Sequence, residues 1–101
     1  MIIRIDATGE VRVDEHFVFT DFHVEVPSGF ASDNLAATMG EGTRSDDGHL
    51  WIAEAAIRHW LAGRADDLWD EGFSGMVAYA RSKGWTDKAG THLRAHIEYV
   101  D

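Results

Sequence analysis

The chain contains no cysteine, a single proline, and nine lysines and arginines against eighteen aspartates and glutamates. Without cysteine there is no disulfide, no thiol nucleophile and no thiolate zinc site. The shortage of basic residues leaves a formal charge of −9. That field repels phosphate backbones and anionic lipid, so neither a nucleic acid nor a membrane surface is an expected partner, whereas a basic protein is compatible with it. No apolar run approaches the roughly 20 residues of a membrane-spanning helix. Residues 1–6 show no basic segment leading into an apolar one, so no signal peptide is read and the cytoplasm is the expected location.

What is present is a foldable composition: 101 residues, 45% hydrophobic and 11% aromatic, enough for one domain over residues 1–101 with a core of its own. The strongest pattern lies at the end. In residues 91–99, Leu93, Ala95, Ile97 and Tyr99 share one parity, and His92, Arg94, His96 and Glu98 share the other. A period of two marks a strand with one apolar and one polar face. Residues 2–6 and 10–14 alternate likewise and read as a hairpin closed by Ala7, Thr8 and Gly9. A third, longer strand is expected over residues 17–26, apolar on both faces in its first half and stopped at Pro27.

Helical spacing follows. Ser32 is placed to cap a short helix ending at Met39, and residues 40–48 read as a loop. Residues 49–62 carry a stripe of Ile52, Ala53, Ala56, Ile57, Trp60 and Leu61, which predicts a helix. A second helix is expected from Asp66 to Lys83, acidic at its start and closed by Gly84. The expected fold is therefore α+β: a two-layer sandwich, with about four strands (three N-terminal plus the C-terminal one) covered on one face by two longer helices.

Such a sheet exposes Arg4, Asp6, Arg12, Asp14, Asp21, His23, Glu25, His92, Arg94, His96 and Glu98 on its uncovered face. Histidines beside carboxylates can move protons near neutral pH, so His23, Glu25, His92, His96 and Glu98 are the candidate catalytic residues. Ion pairing across strands accounts for the same residues without any ligand. On a strand His92 and His96 stand about 13 Å apart, too far to share one metal. No recognised ligand spacing is present, and neither a metal nor another cofactor is expected. Asp66, Asp67 and Asp70 imitate an aspartate-rich magnesium motif, but acids in the first turn of a capped helix explain them fully.

Four tryptophans remain to be placed. Trp60 and Trp69 fit apolar stripes, whereas Trp51, on the helical reading, points to a polar side. With Phe17, Phe19 and Trp85 it is a candidate for an interface. Three functions are compatible with these features. The first is a non-catalytic interaction module acting as a homodimer. The second is a ligand-binding protein or enzyme with a pocket among Trp51, His59, Trp60 and Trp69, using the sheet-face histidines. The third is an inhibitor or immunity-type protein that engages a basic partner.

Overall fold

The computed structural model describes residues 1–30, 35–40, 43–46, 48–61 and 63–100. The Ser32 cap, Glu41, Gly42 and Asp47 of the loop, and the Ala62 helix end lie outside the described residues. The described residues form an α+β fold: a six-stranded mixed sheet and three helices. In chain order these are β1 (Ile2–Ile5), β2 (Val11–Asp14), β3 (His23–Pro27), α1 (Leu35–Met39), β4 (Arg44–Asp46), β5 (His49–Ala53), α2 (Glu54–Leu61), α3 (Asp67–Ser82) and β6 (His92–Val100). The sheet runs β2-β1-β3-β6-β5-β4. Its centre is parallel, with β1 beside β3 and β3 beside β6, and both flanks are antiparallel.

The expected four strands are thus six, because residues 49–53 are not the start of a helix. His49 to Ala53 alternates with period two as cleanly as it fits a helical stripe. Leu50 and Ile52 go to the core, and His49, Trp51 and Ala53 to the other face. β6 decides between the readings. It is the longest strand, and the edge that β3 leaves open would hold unpaired amides and carbonyls. β5 fills that edge in register, Leu50 against Ala95 and Ile52 against Leu93. Gly48, at φ +84°, makes the turn that lets β4 pair back onto β5. The helix then starts at Glu54, whose amide donates to Thr91 O.

The third strand is also shorter than expected. Residues 17–22 instead carry the chain from the end of β2 past the start of β1 and across α3. Phe19 and Phe22 pack against the core, while Phe17 and Val18 stay exposed. The Phe19 ring lies against Gly72 and 6.3 Å from the Trp69 ring, and Trp69 Nε1 donates to His16 O at 2.7 Å. Asp6 is likewise not on the sheet face. It lies past β1 and closes the hairpin turn by accepting from the Thr8 and Glu10 amides.

α3 follows its sequence signals. Asp66 Oδ1 accepts from the Trp69 amide at 2.8 Å as the N-cap. At the other end Gly84, at φ +77°, lets its own amide reach Arg81 O and that of Trp85 reach Ala80 O, a Schellman closure. Arg64, between α2 and α3, donates to Val13 O on the edge strand β2 and to Leu61 O, tying the helical layer to the sheet. The core between the layers is Met1, Ile3, Ile5, Val13, Val24, Val26, Leu50, Ile52, Leu93 and Ala95 from the sheet side. Leu35, Met39, Ile57, Leu61, Trp69, Phe73, Met76 and Val77 meet them from the helices. Among the described residues, no helix lies on the opposite face of the sheet. No helix among the described residues is long and apolar enough to cross a membrane.

Candidate cation site on the open sheet face

Strand register lines up one row of residues across the whole uncovered face: Asp14, Ile2, His23, His96, His49 and Asp46, one from each strand. Successive members stand about 4.8 Å apart. The next row toward the β6 C-terminus carries Arg12, Arg4, Glu25 and Glu98. The two rows meet at His23, which is only 6% exposed although it lies on the open face.

Three carboxylates surround that imidazole. His23 Nε2 lies 2.8 Å from Glu25 Oε2 and 3.0 Å from Glu98 Oε2. Nδ1 lies 3.4 Å from Asp21 Oδ1. Burial works against the imidazolium. The hydrogen bond His23 donates to Glu25 and the charges of Glu98 and Asp21 outweigh it, so the His23 pKa is raised above the ordinary histidine value. His96 stacks on His23 with ring centroids 5.4 Å apart, and its Nε2 lies 3.5 Å from Glu98 Oε1. Glu98 therefore spans the two histidines, one oxygen to each.

The basic residues of this face are already engaged. Arg4 pairs with both Asp14 and Glu25, Arg12 with Asp14, Arg94 with Asp46, and Arg44 with Asp87. Around His23, four carboxylates (Asp14, Asp21, Glu25 and Glu98) face two guanidiniums (Arg4 and Arg12). The centre of the face is electronegative whenever its histidines are neutral. The adjoining cleft, lined by Arg4, Arg12, Glu25, Pro27 and Val100 among others, has a volume of about 240 Å³, room for a small ligand only.

Of the candidate catalytic residues, His23, Glu25, His96 and Glu98 come together and His92 does not. His92 lies toward the other end of β6, with Nδ1 3.0 Å from Asp87 Oδ2. The pocket expected among Trp51, His59, Trp60 and Trp69 does not form. Trp51 is on β5, half-buried on the open face with Nε1 donating to Asp46 Oδ2 at 3.1 Å. Trp69 is in the core, and His59 is exposed on α2. Trp51 looked out of place only because a strand residue was read on a helical wheel. His49 belongs to the central row and is hidden by the same helical reading, whereas Asp46 falls in the stretch read as a loop. The alternation of His49, Trp51 and Ala53 was the signal that could have found His49.

The aromatic interface candidates separate. Phe17 and Trp85 are exposed and Phe19 is half-buried against α3. A second cleft, of about 580 Å³, runs along α3 between Phe19, Phe22, Gly75, Met76, Tyr79 and Trp85. No family model, curated protein or solved structure matches this chain.

Proposed function

We propose that this is a binding protein whose working surface is the open face of its sheet, and that the ligand is a small cation. One observation carries the reading. His23 is nearly buried among Asp21, Glu25 and Glu98, and of these only Glu25 is also paired with an arginine, Arg4. Such a site favours positive charge and offers an anion no free guanidinium. The open face supports binding more than catalysis, since the cleft lined by Arg4 and Glu25 is small. Amide and imidazole NMR spectra recorded with spermidine, zinc and inorganic phosphate test this. Cations should shift the signals of His23, His96 and Glu98 and phosphate should not. The reverse pattern, or shifts scattered away from this face, would refute the reading.

A second reading, an interaction module that pairs with another copy of itself, is favoured by the cleft along α3. Tyr79 at 58% exposure and Trp85 at 45% flank it, and large aromatic surface left in water is characteristic of contact sites. The two surfaces meet at Asp21, which lines this cleft and also stands 3.4 Å from His23 Nδ1, and the two readings are compatible.

A further inference from the structure

We infer that the cation is a divalent first-row transition ion, bound between β3 and β6 by His23 Nε2, His96 Nε2 and the Glu98 carboxylate. This rests on the cation-binding reading of the face and narrows it. The first support is positional. One ligand atom from each of the three residues lies within 4.8 Å of the other two. A tetrahedral zinc ion with bonds of about 2.0–2.1 Å holds its ligand atoms about 3.3 Å apart. Glu98 already stands 3.0 Å from His23 Nε2 through one oxygen and 3.5 Å from His96 Nε2 through the other, and an ion would draw the two imidazoles together.

The second support is how the ligands are held. β3 and β6 are parallel and in register at His23 and His96, so two residues far apart in sequence become side-by-side ligands. Glu98, two residues along the same strand, returns to the same face. This is why spacing along the chain shows no motif. Asp21 Oδ1 faces the other nitrogen of His23 at 3.4 Å, a carboxylate that can hold the imidazole proton on Nδ1 when an ion displaces the proton Nε2 now shares with Glu25 and Glu98. Arg4 anchors Glu25, whose second oxygen stands 2.8 Å from His23 Nε2, ready to accept from a water on the ion or to become a fourth ligand.

The donor set chooses the metal. Two imidazoles with one carboxylate suit zinc, cobalt, nickel or iron, whereas calcium and magnesium prefer all-oxygen cages. His96 and Glu98 are about half exposed, so the ion would face solvent and keep an open position.

The test uses the full chain stripped of metal. Zinc is titrated by calorimetry and cobalt by visible absorption, on the parent protein and on His96→Ala, Glu98→Gln, Asp21→Asn and His92→Ala. One ion per chain is expected. Asp21→Asn should weaken it about tenfold, His96→Ala and Glu98→Gln by more than that, and His92→Ala not at all. Calcium should not compete. The substituted ligands are exposed, so circular dichroism of the variants should match the parent, and binding can be read on folded protein. Absence of zinc binding, or binding untouched by His96→Ala and Glu98→Gln, overturns the metal assignment. If spermidine still shifts the face in that case, the cation reading survives. If it does not, both fall.

Discussion

Gly72 lies on the buried stripe of α3, where the helix itself would gain about 1 kcal/mol from alanine. The structure reverses that sign. A Cβ at Gly72 would come within 2.2 Å of Phe19 Cε2 and 2.8 Å of Cδ2, so the ring must leave its place. Gly72→Ala is expected to cost about 1–3 kcal/mol as an overpacking change. In a Phe19→Ala background the obstruction is absent, and the same substitution should stabilise. Urea unfolding of the four-membered cycle measures both. A destabilising Gly72→Ala in the Phe19→Ala background would show that something other than the ring demands glycine. Residues 17–22 are a strap past α3, and its Phe19 ring fills a site that glycine keeps open.

At the scale of the element, the loop from α3 to β6 turns on Asp87. Its carboxylate accepts from the amides of Thr91 and His92 and faces His92 Nδ1 and Arg44. Burial alone would raise the Asp87 pKa. The amides of His92 and Thr91 and the charge of His92 prevail, and the carboxyl is held below its usual range. A group with a depressed folded pKa lends stability above its unfolded pKa and loses it as pH falls through the folded value. Protection of the Thr91 and His92 amides, measured against their intrinsic exchange rates, should therefore fall below pH about 4, and Asp87→Asn should remove that acid-dependent step while lowering protection at neutral pH. Unchanged protection across that range would exclude Asp87 as the latch. The same elements show what the sequence reveals. The alternation of β6 was legible because both its faces are pure. β5 was not, since His49 to Ala53 satisfies helix and strand periods alike and only the open edge of β6 selects between them. β4, three residues without apolar alternation, left no trace. Of the candidate site, the face residues could be read from parity. That His23 meets His96 rather than His92 depends on the register of two parallel strands joined through three helices, which no local pattern encodes.

The whole molecule presents two unlike sides: a charged sheet face that suits an ion, and a helical layer with apolar side chains in water. A net charge of −9 opposes self-association in general, but α3 distributes its charge unevenly. Asp67, Asp70 and Glu71 occupy its first half, and Arg81 and Lys83 lie at its end. Two copies packed with α3 antiparallel would set the acidic half of each against the basic end of the other. Ser74 and Gly75 would lie at the two-fold axis, where a Cβ on Gly75 meets nothing. Leu68, 71% exposed, would then face the Tyr79 end of the partner's cleft. Sedimentation at increasing protein concentration should show a monomer–dimer equilibrium that weakens with added salt, because exposed ion pairs are screened. Tyr79→Glu should shift it to monomer, while Trp51→Ala, on the opposite face, should leave it in place. A monomer at every concentration would remove the pairing of copies and leave the open sheet face as the one surface with a proposed ligand. Dimerisation lost with Trp51→Ala instead of Tyr79→Glu would move the contact from the α3 cleft onto the open face of the sheet.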